Sequence, residues 1–219
     1  MKISILTLFP DMFAGPFAHS IIKRALDQNK VTIRLVNIRD FASDSYKTVD
    51  GKPYGGGVGM ILRVDVVDRA LKSLTKGHSV LLDAGGTPYK QSKARDFSTL
   101  DHLILICGHY EGVDERIRSL VDEEISVGDY ILTGGEIPAM TVVDSVVRLL
   151  PGVLTKPAAT IGESFTMPTL EYPQYTEPRE YHGVRVPDIL LSGNHKAIEG
   201  WHKQKAQEKT RQLRPDLRA

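Results

Sequence analysis

Runs of apolar residues alternate with amphipathic segments along the chain, in the order typical of an α/β protein. The apolar runs predict strands at Lys2–Leu8, Val31–Ile38, Ser79–Asp83, His102–Cys107 and Glu124–Val127. Apolar positions spaced three and four residues apart predict helices at Ser20–Asn29, Val64–Leu74, Gln91–Phe97, Asp114–Val121 and Pro138–Leu150. Strands that alternate with helices indicate an α/β domain with a mostly parallel sheet.

Two polar loops that contain glycine follow apolar runs of the predicted sheet. The first is Cys107–Arg116 and the second is Val127–Glu136. Ligands of such sheets bind at the carboxyl ends of the strands, and a predicted turn at Asp83–Thr87 occupies the same edge. Three loops at one edge predict a ligand-binding site. Each loop alone has a simpler explanation, because glycine also permits tight turns with positive φ.

The chain changes character after Leu150. Pro151–Pro178 contains five prolines and no sustained periodicity, which is typical of a linker or an ordering loop. A short helix is predicted at Pro187–Leu191, and Asn194 is a suitable N-cap for a helix that runs to about Gln212. We therefore expect a ligand-binding domain at 1–155, a linker or active-site lid at 156–178, and a small helical domain at 179–219.

Composition limits the function classes. The 219 residues carry a net charge of +1, so a nucleic-acid partner requires a local patch. From His195 onward there is such a bias, with seven Lys or Arg against three acids. The single cysteine, Cys107, excludes an internal disulfide and fits a reducing cytoplasm. No secretory signal and no apolar run of roughly 20 residues is visible, so we expect a cytoplasmic protein without a membrane partner.

Several common catalytic fingerprints are missing from the sequence. It contains no Walker phosphate loop, no G-x-G-x-x-G and no G-x-S-x-G elbow. His195 and His202 share a helical face but lack a third metal ligand nearby. Cys107 fits a small buried hydrophobe better than a nucleophile. These absences disfavour a nicotinamide-dependent enzyme, a P-loop nucleotidase and a metal hydrolase.

Taken together, the motifs resemble the bacterial tRNA (guanine-N1)-methyltransferases, which belong to the SPOUT superfamily and modify the guanosine at position 37. The matching stretches run nearly end to end: Ile5–Phe13, Tyr54–Met60, Cys107–Arg116, Val127–Met140, Pro151–Leu154, Tyr172–Thr176 and Leu191–His195. The resemblance implies a deep trefoil knot in the α/β domain. It also implies S-adenosylmethionine bound in the knot, and an obligate homodimer with each active site between subunits.

The resemblance further implies which residues form the site. The cofactor is expected to contact Asp83, Ala84, Gly85, Gly86, Gly108, Tyr110, Glu111, Gly112, Val127, Gly128, Asp129, Tyr130, Ile131, Leu132, Gly134, Gly135 and Pro138. Glu163 matches the family's general base, Arg148 matches the arginine that stabilises developing charge, and Mg²⁺ is implied as an aid. The residues expected to bind tRNA are Asp50, Gly57, Gly59, Ser164, Trp201, Lys203 and Arg211. The last three would hold the anticodon arm, and the linker would order over the site when tRNA arrives.

The chain departs from the family pattern at four positions. Glu163 stands where the family usually has Asp, and His109 stands where it usually has Arg. Asp83-Ala84 replaces a common Ser-Pro, so we expect Asp83 to favour a positively charged ligand. Two alternatives stay open, namely a knotted methyltransferase of another RNA nucleotide and a non-catalytic RNA-binding dimer.

Overall fold

The structure is a computed structural model that describes residues 1–156 and 160–218. It divides into two compact units, Met1–Thr155 and Lys156–Ala219. The three-part organisation expected from the sequence stays a prediction. In the structure, residues 160–178 group with the C-terminal unit.

The first unit contains seven strands. They are β1 (Lys2–Thr7), β2 (Thr32–Asn37), β3 (Asp50–Gly51), β4 (Ile61–Leu62), β5 (His78–Pro88), β6 (His102–Cys107) and β7 (Glu123–Ser126). Five of them form one sheet in the order β2-β1-β6-β5-β7, and all its neighbouring strands are parallel. β3 and β4 form a separate antiparallel pair. The α/β fold with a mostly parallel sheet is therefore confirmed.

Helices cover both faces of the sheet. They are α1 (Ala14–Phe17), α2 (Ser20–Asp27), α3 (Val64–Lys72), α4 (Gln91–Ser98) and α5 (Glu136–Val147), with 3-10 helices at Pro10–Phe13, Ile38–Phe41 and Glu115–Leu120. Successive residues of one strand point to opposite faces. Leu103 and Leu105 of β6 accordingly join the core beneath α2, α4 and α5, whereas Ile104 and Ile106 join the core beneath α3.

The helix predicted at Asp114–Val121 is a 3-10 helix, and the β3–β4 pair was not predicted. Two further elements differ from the prediction for physical reasons. β5 does not end at Asp83 in a turn; its register shifts between Leu82 and Thr87, and the strand then pairs again with β7. Residues 83–86 therefore form a bulge inside a long strand, because the chain beyond them still finds β7 as a partner. α5 begins two residues before Pro138, since a proline in the first helical turn removes an N–H that has no helical acceptor.

The second unit contains a short hairpin and two helices. These elements are β8 (Glu180–Tyr181), β9 (Val184–Arg185), α6 (Asp188–Leu191) and α7 (His195–Leu213), followed by a 3-10 helix at Pro215–Arg218. The predicted N-cap of α7 is confirmed, because the Asn194 Oδ1 accepts a 3.1 Å hydrogen bond from the Ala197 backbone N–H. Of the helices in the described part of the chain, none has the length and apolarity that crossing a bilayer requires.

Candidate functional site

A cavity of about 180 Å³ lies in the first unit, where β6 and β7 end and the bulge of β5 begins. Its lining consists of Leu82, Asp83, Ala84, 108–112, 125–128, 130–135 and Pro138. The two polar loops and the start of the β5 bulge thus meet at one edge of the sheet. The convergence follows from parallel strands, which deliver their carboxyl ends to the same edge.

Most of the residues assigned to a cofactor line this cavity. Three do not: Gly85 and Gly86 lie further along the β5 bulge, and Asp129 is absent from the lining. The lining also contains Leu82, Ile125, Ser126, His109 and Thr133, which were not in the predicted set. The first three could have been found by following each predicted strand to its carboxyl end.

The two polar loops touch through a pair of glycines. The Gly135 N–H donates a 2.8 Å hydrogen bond to the Gly108 carbonyl, and Gly134 forms an isolated antiparallel bridge with His109. A Cβ built on Gly135 would lie 2.6 Å from the Cys107 Cα. Only glycine fits at this position, because the two backbones approach each other so closely. This approach brings the two loops together as neighbouring walls of the cavity.

A buried carboxylate connects the cavity wall to the end of β1. Glu136 is 2% exposed and its Oε1 accepts a 2.7 Å hydrogen bond from the Thr7 hydroxyl. The Nδ1 of His109 lies 4.0 Å from Glu136 Oε2 and has no hydrogen-bond partner among the described residues. The His109 ring is flanked by Phe9 and Tyr110 at centroid distances of 4.8 and 5.0 Å. The imidazole is thus held by ring packing.

Cys107 lies behind the same wall and is fully buried. Burial, and to a lesser extent the nearby Glu136 charge, raises the pKa of the Cys107 thiol well above its ordinary value. A thiol that is inaccessible and protonated at neutral pH is a poor nucleophile. The interpretation of Cys107 as a buried hydrophobe is confirmed.

The charge of Asp83 is partly neutralised by an arginine. Asp83 Oδ1 accepts hydrogen bonds from the Gly85 N–H at 2.8 Å and from Arg118 Nη2 at 3.4 Å. Arg118 also pairs with Glu115 at 2.9 Å and with Glu124. Because Arg118 partly neutralises Asp83, this carboxylate attracts a cationic ligand less strongly than the sequence alone predicts.

The glycine-rich segment around Gly59 is joined to the first polar loop. The Glu111 N–H donates to the Met60 carbonyl at 3.0 Å, and the Leu62 N–H donates to the Gly112 carbonyl at 3.0 Å. The Glu111 side chain occupies the space that a Cβ on Gly59 would need. Asp50 is aligned with Leu62 in the β3–β4 pair. The structure therefore connects the predicted cofactor and target-base segments through β4.

The predicted catalytic and tRNA-binding residues are divided between the two units. Arg148 is half-buried at the C-cap of α5 in the first unit. Glu163, Ser164, Trp201, Lys203 and Arg211 lie in the second unit. Trp201 is half-buried, with its ring 6.4 Å from Tyr175 and 5.7 Å from His202, whereas Arg211 is exposed. Trp201 therefore packs within its own unit.

The described residues contain no group of three or more His, Cys, Asp or Glu side chains that could hold a metal ion. The chain itself thus offers no preformed multidentate metal site in the part that the structure describes.

Comparison with known proteins gives a match along the whole chain. The family model described as "tRNA (Guanine-1)-methyltransferase TrmD" matches residues 1–219. A protein of Dictyoglomus turgidum named tRNA (guanine-N(1)-)-methyltransferase is 53% identical over 99% of this chain and 89% of its own length. Proteins of the same name from Desulforudis audaxviator and Geobacillus kaustophilus are 55% and 52% identical. Each match covers 99% of this chain, with 89% and 91% of the relatives' lengths.

Proposed function

The chain belongs to the tRNA (guanine-1)-methyltransferase TrmD family, and on that basis we propose that it methylates N1 of the guanosine at position 37 in tRNA, with S-adenosylmethionine as the methyl donor. The observation that carries this proposal is the family match across all 219 residues. It makes the protein a transferase of one-carbon groups. Its tRNA substrate implies that it works in the cytoplasm.

The cavity suits the proposed cofactor. S-adenosylmethionine supplies an electrophilic methyl group on a sulfonium when bound. The residues that would hold it are those of the two polar loops, with Gly134, Gly135 and Pro138. Glycine leaves backbone N–H and C=O groups open for close approach by a flat purine and its ribose. The exposed apolar side chains of Ile131 and Leu132 offer contact area for the faces of such a ligand.

The proposed trefoil knot lies in the same region. What supports it is the path of the chain after β7, which forms the edge of the sheet. The chain then returns to the end of β6, where Gly134 and Gly135 contact His109 and Gly108. Only after this return does it enter α5. This return brings the chain alongside the loop that it would thread in the proposed knot.

The chemistry assigns separate tasks to Glu163 and Arg148. Guanine N1 carries a proton and becomes a good nucleophile only when that proton leaves, so the Glu163 carboxylate accepts it as a general base. Negative charge that moves onto the guanine O6 is stabilised by the fixed positive charge of Arg148. Because the described residues contain no group of three or more His, Cys, Asp or Glu side chains that could hold a metal ion, water and substrate would supply most ligands of the Mg²⁺ that the resemblance implies.

The tRNA contacts are assigned to both units. Asp50, Gly57, Gly59 and Ser164 would surround the target base, which must leave the anticodon-loop stack. Lys203, Arg211 and Trp201 of α7 would hold the anticodon arm, mainly through its phosphates. Lys203 is paired with Glu199 at 2.8 Å on an exposed surface, an interaction weak enough for a phosphate to replace.

A homodimer is also proposed. What supports it is an apolar groove in the first unit beside the edge strand β2, lined by Phe13, Phe17, Leu26, Ile33 and Leu35. Apolar side chains beside an edge strand are suited to contact with a second copy.

Methyl transfer to defined tRNAs tests the proposed function. Labelled S-adenosylmethionine is incubated with a transcript that carries guanosine at positions 36 and 37 and with the same transcript carrying adenosine at 37. We expect label only in the first, at N1 of G37. Label at another nucleotide of total tRNA would favour the alternative RNA substrate. Calorimetric titration that detects no cofactor binding would favour a non-catalytic RNA-binding protein.

A further inference from the structure

Residues 163–171 form a loop that begins at Glu163, here called the Glu163 loop. It is attached to the C-terminal end of α7 at two points. The Leu170 N–H donates a 2.8 Å hydrogen bond to the Thr210 hydroxyl oxygen. That hydroxyl donates in turn to the Ala206 carbonyl at 2.6 Å. One helical turn further on, the Arg214 guanidinium lies 5.6 Å from the centroid of the Phe165 ring.

Both attachments come from side chains that are themselves held in place. Thr210 is fully buried, although α7 is otherwise half-buried or exposed. The Arg214 Nε and Nη2 donate to the two carboxylate oxygens of Asp216 at 2.8 and 2.7 Å. Two hydrogen bonds to one carboxylate restrict the guanidinium and so hold its charge beside the Phe165 ring.

The attached loop has a conformation that needs such support. Phe165 has a φ of 70°, in the left-handed region that a bulky residue rarely adopts. A residue stays there only when its surroundings hold it. Further bonds within the loop run from the Thr166 N–H to the Glu163 carbonyl at 3.2 Å and from the Glu171 N–H to the Ser164 Oγ at 2.9 Å. The backbone at Glu163 is therefore shaped by a loop that α7 supports.

We propose that Thr210 and Arg214 are positioning residues for the general base, fixing the Glu163 loop to the helix that binds tRNA. The inference rests on the proposed function, in which Glu163 accepts the guanine proton and α7 holds the anticodon arm. Recognition of tRNA and deprotonation of guanine then both depend on the second unit. A tRNA that docks correctly on α7 therefore also meets a correctly placed Glu163 carboxylate. Neither Thr210 nor Arg214 needs to touch the reacting atoms.

Thr210→Val is the sharpest test, because a buried side chain cannot contact tRNA itself. The substitution keeps the shape and removes the acceptor for Leu170. We expect the single-turnover rate at saturating tRNA and cofactor to fall roughly ten- to a hundredfold, with the Kd for tRNA unchanged. Thr210→Ser keeps the hydroxyl and should retain the wild-type rate. An unchanged rate in Thr210→Val, or a loss fully explained by weaker tRNA binding, would overturn the proposal for Thr210.

A double-mutant cycle tests Arg214 even if Thr210→Val does not fold. Arg214→Gln removes the cation, and Phe165→Leu removes the ring while keeping an apolar side chain. If Arg214 acts through Phe165, the double variant should lose no more rate than the worse single variant. If the two losses multiply, Arg214 acts elsewhere and its assignment is wrong. Gln212→Ala, an exposed change in the same turn of α7, should retain the wild-type rate.

Glu163→Gln, measured in parallel, separates the two levels of the proposal. If it retains the wild-type rate, the proposed base is wrong and the positioning inference falls with it. If it loses turnover while Thr210→Val and Arg214→Gln do not, only the positioning inference is wrong.

Discussion

The Gly135 N–H donates a 2.8 Å hydrogen bond to the carbonyl of Gly108, and this contact joins the two loops that line the proposed cofactor cavity. The two glycines are 27 positions apart in the sequence, and β7 lies between them. Their contact is possible because Gly135 carries no side chain: a Cβ there would lie 2.6 Å from the Cys107 Cα and 2.9 Å from the Gly108 N. The cavity and the packing behind it therefore both depend on Gly135.

Gly135→Ala should damage both stability and cofactor binding. Its methyl group would lie 2.6 Å from the Cys107 Cα, so the two loops must separate. We expect the free energy of unfolding to fall by about 1–3 kcal/mol. We also expect calorimetric affinity for S-adenosylmethionine to weaken roughly tenfold or more, the equivalent of about 1.4 kcal/mol. Gly15→Ala is the control, since nothing lies within 4 Å of a Cβ there. Equal behaviour of the two variants would contradict the close-approach argument.

Glu163→Gln should abolish most methyl transfer without loss of the cofactor. An amide cannot accept the guanine N1 proton as a carboxylate does, so the single-turnover rate should fall by roughly 10² or more. Cofactor affinity should stay near the wild-type value, because the lining of the cavity belongs to the first unit. Glu163→Asp restores the family's usual residue and should keep activity. Undiminished transfer by Glu163→Gln would remove Glu163 as the base.

Arg118→Ala should destabilise the first unit because three carboxylates share this one cation. Asp83, Glu115 and Glu124 all pair with Arg118, whose side chain is 33% exposed. We expect the free energy of unfolding, measured with urea, to fall by about 1–3 kcal/mol. This loss should be smaller in high salt, because salt screens the remaining carboxylate charges. Arg116→Ala is the matched control: its side chain is 69% exposed and, among the described residues, forms an ion pair with Asp114 only, an interaction of at most about 1 kcal/mol. Similar losses in both variants would count against the shared-cation account.

His102 should make stability fall in mild acid. Burial lowers the pKa of His102 below its ordinary value of 6.5, and its Nε2 lies 2.9 Å from the Ser4 Oγ. Just below pH 6.5, His102 binds a proton in the unfolded chain more readily than in the folded chain. The free energy of unfolding therefore decreases as the pH falls from 7 toward 5, and the His102 contribution is present in full only above that range.

Urea unfolding at a series of pH values checks this prediction. His102→Gln should show a shallower decline than the wild type between pH 7 and 5, whereas His19→Gln, a change at an exposed histidine, should follow the wild type. Parallel curves for the wild type and His102→Gln would show that His102 does not carry the effect.

The local pattern of the sequence was sufficient for most of the fold. The apolar run at His102–Cys107 predicts a strand whose bounds agree with the structure, because every residue of β6 is buried on one face or the other. Asn194 is recognisable as a cap because its side chain bonds within one turn of its own position. Both features depend on neighbours that are close along the chain.

Features that depend on distant partners were not accessible in this way. β5 continues beyond its bulge because β7 is there to pair with Thr87 and Pro88. The charge of Asp83 is partly neutralised by Arg118, 35 residues away. The Leu170 N–H is hydrogen-bonded to the hydroxyl of Thr210, 40 residues away. No periodicity or motif records such pairs, since each is set by how the elements pack.

The sequence by itself therefore determined the order along the chain of the five strands of the main sheet, the family and the loops that line the cavity, because these follow from local periodicity and recognisable motifs. Only the tertiary structure decided that Gly135 meets Gly108, that Arg118 serves three carboxylates and that α7 supports the Glu163 loop. The physical reason is that contacts between distant residues arise from the mutual packing of elements, which exists only once the chain has folded.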